Sequence, residues 1–110
     1  MTKARGEYAS YIVDKLSSLG DVSSRAMFGG YGIFHEGLMF AVISDDILYF
    51  KVDESNRDMY VKAGSTKFPH GISYWEVPEE VFEDTARLHE WANISIAIAR
   101  ARAKNKKKRR

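Results

Sequence analysis

The sequence predicts an α+β fold: an antiparallel β-sheet flanked by helices, in the order α-β-β-β-α-β-α. Three observations carry this. Residues 7–20 repeat apolar side chains at helical spacing. Residues 27–53 switch to short β-branched and aromatic runs divided by turn chemistry. Helical spacing then returns after Pro78.

In "EYASYIVDKLSSLG", Tyr8, Ile12, Leu16 and Leu19 fall on one helix face with Tyr11 beside them, and Gly20 supplies the stop. "MFGGYGIF", "LMFAVI" and "ILYFKV" read as three strands. "HEG" fits a three-residue hairpin loop with Gly37 left-handed, and "SDD" a second tight turn. With two three-residue loops, Phe34, Gly32 and Gly30 share a face with Leu38, Phe40, Val42, Leu48, Phe50 and Val52; a slip by one residue sends this set to the other side. The opposite face offers Tyr31, Ile33, Met39, Ala41, Ile43, Ile47 and Tyr49, so both sides of the sheet are expected to be covered. "DESNRDMYVKAG" reads as a short helix capped by Asp53 or Ser55 and ended by Gly64. "STKFPHG" follows as a loop and "ISYWEV" as a further strand. Pro78 opens one last helix with an acidic first turn, as the helix dipole prefers. Its stripe is Val81, Leu88, Trp91, Ala92 and Ile98, and its end is expected at about Ala103.

A chain of 110 residues, 45% apolar and 29% charged, fits one soluble domain. The absence of cysteine excludes disulfides, thiol nucleophiles and thiolate metal sites. No window has the length of a membrane span and the N-terminus has no apolar run, so a cytoplasmic protein is expected. The formal charge of +2 conceals an asymmetry: eight bases and no acid fall in the last eleven residues, leaving nine bases against 15 acids, a net of −6, in residues 1–99. Residues 1–103 are assigned to the domain and 104–110 to a basic tail, disordered because like charges repel and nothing apolar remains to dock.

The glycine stretch invites two functional readings that fail. A dinucleotide fingerprint needs a third glycine where His35 stands, and a helix where a strand follows. An RNA-recognition strand needs a base at Gly29 and aromatics at Ile33 and Glu36, and a strand before its first helix. Gly29, Gly30 and Gly32 therefore read as structural, with Phe40 and Trp91, the bare backbone leaving room for the Phe40 ring or a crossing helix.

No catalytic, cofactor-binding or metal-binding residue can be assigned. His35, His70 and His89 lack ligand spacing; His35 lies in a turn and His89 off the helix stripe, and both read as solvated. Asp45 and Asp46 read as turn residues, and Glu79, Glu80, Glu83 and Asp84 as complements to a helix dipole. A cleft gathering Arg25, Tyr31, Tyr49, Trp75 or His70 would favour a ligand-binding protein or an enzyme.

Arg25 with Met27 to Gly30, Met39 to Ala41, Asp45 to Asp53, Asn56 with Arg57, Tyr74 to Pro78 and Trp91 form an ordered set spanning about residues 5 to 103. In this combination the chain resembles the TfoX N-terminal domain family. The resemblance implies a secretion-chaperone-like α+β domain with no established catalytic residues. It also implies kinship with regulators that promote transcription for competence. Those carry a second, C-terminal domain, where this sequence is expected to end in its basic tail.

Two function classes stand side by side. One is a non-enzymatic regulatory domain, expected as a homodimer, that meets a protein partner in transcription regulation through its apolar sheet face or its long helix. The other is an accessory protein whose tail (Arg100, Arg102, Lys104, Lys106, Lys107, Lys108, Arg109, Arg110) binds nucleic-acid phosphates.

Overall fold

Four strands in chain order make most of the sheet: β1 (Val22–Met27), β2 (Gly30–His35), β3 (Leu38–Ser44) and β4 (Ile47–Lys51). A short fifth strand, β5 (Tyr74–Glu76), completes it. Neighbours pair antiparallel, in the order β1-β2-β3-β4-β5. The helices are α1 (Glu7–Leu16), α2 (Arg57–Lys62), α3 (Glu79–Phe82) and α4 (Thr85–Lys108), with a 3-10 turn at Ser17–Leu19. The computed structural model describes residues 6–27, 29–69 and 73–108, with side chains through 105 of α4. His70, Arg109 and Arg110 lie outside the described residues.

The fold class is the expected α+β, but two elements differ. β1 was not expected, because "VSSRAM" has no apolar alternation: only its ends are half-buried, and Ser23 to Ala26 are exposed. It forms nonetheless, paired along its whole length with β2 as an edge strand. The single last helix is in fact two. Asp84 interrupts it, its carboxylate accepting from the Arg87 N–H (3.3 Å) and its carbonyl from the Leu88 N–H (2.8 Å), the arrangement of an N-cap. The observed order is α-β-β-β-β-α-β-α-α.

Both hairpin loops are shorter than expected. His35 pairs with Leu38 and Ser44 with Ile47, so each loop has two residues. Glu36 and Gly37 have φ of 50° and 84°, and Asp45 and Asp46 of 53° and 61°. Positive φ at both central positions is the turn whose twist matches the strands. In β3, Ile33 opposes Ala41 while Phe34 opposes Met39, so Phe40 is an extra, bulged residue.

These registers redistribute the expected face. Leu38, Phe40, Leu48, Phe50 and Val52 do lie together, packed with Ile33, Ala41 and Ile43 beneath α1 and α4. Gly30, Gly32, Phe34 and Val42 belong to the other side. The bulge turns Phe40 inward, 6.0 Å from the Phe50 ring, and the two-residue Asp45–Asp46 turn moves β4 by one position against β3. The inner face receives Ala9, Ile12 and Leu16 from α1, Val81 from α3, and Leu88, Trp91, Ala92, Ile96 and Ala99 from α4. Ile98 is also buried, so the α4 isoleucines are largely used within the chain.

α2 starts after Asn56 and not after Asp53 or Ser55. The Asp53 carboxylate accepts from the Ser55 N–H (2.8 Å) and hydroxyl (2.6 Å), while the buried Asn56 amide accepts from the Asp53 N–H (2.9 Å) and donates to the Lys51 carbonyl (3.2 Å). That carbonyl also takes the Ser95 hydroxyl of α4 (2.7 Å). One acceptor therefore joins β4, the α2 turn and α4.

Candidate interaction surface

On the side of the sheet away from α1 and α4, Val42, Tyr49 and Tyr74 form a second buried cluster. Met39, Ile47 and Phe68 pack around it, only partly buried. The cover here is a loop. Phe68 stands edge-on to Tyr49 with ring centroids 4.8 Å apart. The loop is stitched to β5: the Glu76 N–H donates to the Thr66 carbonyl (2.9 Å), the Phe68 N–H to the Tyr74 carbonyl (2.8 Å), and the Ser65 hydroxyl to the Glu76 carbonyl (2.6 Å).

The glycines belong to this outer side. A Cβ on Gly30 would collide with the Ile43 carbonyl oxygen, so β2 approaches β3 here closer than any side chain permits. A Cβ on Gly32 would stand 2.7 Å from the Sδ atoms of Met27 and Met39, both of which lie across the bare backbone. Gly29, at φ +78°, has nothing within 4 Å of a Cβ; its need is conformational. Arg25 spreads its guanidinium over the Phe34 ring, 4.5 Å from the centroid, and shields that ring from water.

Charge borders the apolar centre. The Lys51 ammonium donates to the Tyr74 hydroxyl (3.2 Å) and lies 4.8 Å from its ring. Burial raises the Tyr74 phenol to about 12, with Arg102 pulling the other way. Burial, then the Glu76 and Asp45 carboxylates, raise that of Tyr49.

The residues expected to mark a cleft do not converge. Tyr49 is on the outer side, and Trp75 pairs with Phe50 on the inner. Tyr31 instead lines an open cleft of about 280 Å³ with Gly6, Tyr8, Asp45 and Asp46. Among the described residues, no three of His, Asp or Glu are placed to hold a metal ion.

Both described histidines are engaged, contrary to their expected solvation. Buried His35 donates from Nε2 to the Leu19 carbonyl (3.0 Å), and its Nδ1 accepts from Arg100 (3.4 Å). His89 donates to the Lys15 carbonyl (2.9 Å). The carbonyls ending a helix lack partners of their own, and these two rings supply them. Arg100 also reaches Glu36 (3.8 Å), and Arg102 acts on the lowered Asp53 carboxyl, behind the leading Ser55 hydrogen bond. These two bases of the expected tail are thus directed at acids of the body. Lys104 is exposed, and α4 runs past its expected end at Ala103 to Lys108.

Sequence reasoning passed over Ser95 and gave Asn56 no role beyond its place in the family set. Ser95 had a readable signal, four residues after Trp91 on the apolar stripe of α4 yet fully buried. The bridging role of Asn56 had none, since its burial depends on the loop around it.

The profile of the TfoX N-terminal domain matches residues 14–99, from α1 through the last buried turn of α4. The chain belongs to the TfoX N-terminal domain family. Among curated relatives, the DNA transformation protein TfoX1 of Aliivibrio fischeri (strain ATCC 700601 / ES114) is 30% identical over 71 residues, taking in 58% of this chain. The chain covers 34% of TfoX1. In this TfoX N-terminal domain, the matched segment holds all five strands and therefore the whole outer face.

Proposed function

We propose that this TfoX N-terminal domain is a regulatory interaction module, non-enzymatic, that acts in DNA transformation by binding a protein partner of the transcription machinery on the outer face of its sheet. The observation that carries the reading is the half-buried apolar rim of Met39, Ile47 and Phe68 around Val42 and Tyr49, continued across Gly32 by half-buried Met27, on the side that a loop covers. Apolar side chains gathered this way on a charged surface mark contact sites. Methionines adapt to a partner's relief, and an aromatic centre inside a polar rim is the anatomy of a contact surface.

The test replaces the matched segment of TfoX1 in Aliivibrio fischeri with this chain and counts transformants. The chimaera is expected to transform, and Met39→Lys with Ile47→Lys to abolish transformation at an unchanged melting temperature. A double variant that transforms like its parent refutes the reading. Light scattering at twice the 12.5 kDa chain mass, lost in the same double variant, would assign the face to a second copy instead.

A further inference from the structure

The last buried residue of α4 is Ala99, and from Arg100 to Asn105 only Ala103 is even half-buried, yet the helix continues to Lys108. Among its described side chains, residues 100–105, only Ala103 packs at all. The extension propagates from a helix already nucleated on the sheet, through residues that are mostly good helix formers. Its positive charges also complement the negative end of the helix dipole. With Arg100 and Arg102 turned to Glu36 and Asp53, Lys104 is the first exposed base beyond them, and the sequence of the helix continues with Lys106, Lys107 and Lys108.

Such an element suits a polyanion, and its chemistry discriminates among polyanions. An interfacial membrane helix inserts an apolar face, and residues 103–108 offer only Ala103, so only surface charge would hold this segment to a bilayer. Protein interfaces are depleted in lysine and anchored by aromatics and arginine, which "KNKKK" lacks. Nucleic acid needs neither. At 100° per residue, positions 104, 107 and 108 fall within one arc of about 100° and position 106 on the opposite side of the helix axis. This matches a groove with phosphates on both walls, and a helix about 10–12 Å across fits a major groove about 12 Å wide.

We propose that the end of α4, from Lys104 to Lys108, is a nucleic-acid phosphate-binding element that seats a duplex without reading its sequence. Four neutralised phosphates give a slope of about −3.6 in log K against log salt, or roughly a hundredfold loss between 50 and 200 mM. The experiment is fluorescence anisotropy of the full chain with labelled DNA duplexes of two unrelated sequences, over that salt range. Expected are equal affinities for both, the slope above, and loss of binding in the combined Lys104→Ala, Lys106→Ala, Lys107→Ala and Lys108→Ala variant, whose thermal melt stays that of the parent. Binding that survives in this variant places the site on the body and overturns the proposal. So does an absence of binding at 50 mM salt. Polyglutamate or phosphatidylserine vesicles binding as tightly as the duplex would also overturn it.

Discussion

Gly30→Ala adds one methyl group where β2 runs closest to β3. The new Cβ meets the Ile43 carbonyl oxygen, with the Ile43 carbonyl carbon at 3.3 Å and the Ser44 Cα at 3.5 Å. All three are backbone atoms, so no rotamer change relieves the overlap and the start of β2 must back away from β3. Overpacking of this kind costs about 1–3 kcal/mol, and one stretched ladder hydrogen bond about 1 more. The total, about 2–4 kcal/mol, lowers the melting temperature of a domain this size by roughly 8–16 °C. Gly32→Ala is the control. Its Cβ meets the Sδ atoms of Met27 and Met39, flexible ends that can swing aside, and the Phe34 ring at 3.1 Å, with no backbone atom among them, so the loss stays below that of Gly30→Ala. Circular-dichroism melts and urea titrations of both variants measure the difference. The close-approach argument is refuted if Gly30→Ala melts within about 2 °C of the parent, or if Gly32→Ala is the more costly.

Asn56→Ala leaves the Asp53 N–H without its acceptor and takes one donor from the Lys51 carbonyl, so urea denaturation should show a loss of about 1–3 kcal/mol. Combined with Ser95→Ala, which removes the other donor to that carbonyl, the losses should be non-additive in a double-mutant cycle. Asp84→Ala removes the cap of α4 and should cost about 0.5–2 kcal/mol, with Asp84→Asn recovering most of it. Tyr74 ionises at about 12 in the folded chain and near 10 when unfolded. The unfolded state therefore releases its proton first, and the stability Tyr74 contributes is whole below pH 10 and lost as pH rises toward 12. Denaturation midpoints across that window should fall less steeply in Tyr74→Phe than in the parent.

The parts of the fold legible in the sequence are those where burial alone selects residues. The spacing of Ile12 and Leu16 gave α1, that of Leu88, Trp91, Ala92 and Ile98 gave α4, and β-branched runs gave β2 to β4. β1 was illegible because an edge strand takes its stability from one neighbour's hydrogen bonds and leaves Ser23 to Ala26 in water. The loop lengths failed for another reason. Two-residue turns of this kind usually announce themselves with Asn-Gly or Gly-Gly, whereas Asp45 and Asp46 occupy both left-handed positions without a glycine. The Phe40 bulge, invisible in any periodicity, then decided which aromatics faced inward. The outer face was half legible: Met39, Ile47 and Tyr49 were expected there, but Ile33, Ala41 and Ile43 turned inward and Val42 outward. His35 and His89 were misjudged because the carbonyls they cap come from a helix remote in sequence.

The two margins of the sheet are unequal. Along β5, Thr66 to Phe68 already occupy the hydrogen-bonding positions, with Lys67 bridged to Trp75, whereas the far side of β1 has no pairing strand among the described residues. A sheet open at one margin can accept a single additional strand row. If that row comes from another copy of the chain, the union consumes the open margin of both and leaves none over. Growth by this route stops at two, whereas a ribbon that polymerises needs two open margins on every member. The short cover over β5 thus sets a ceiling on strand-wise assembly, independent of what the apolar face binds.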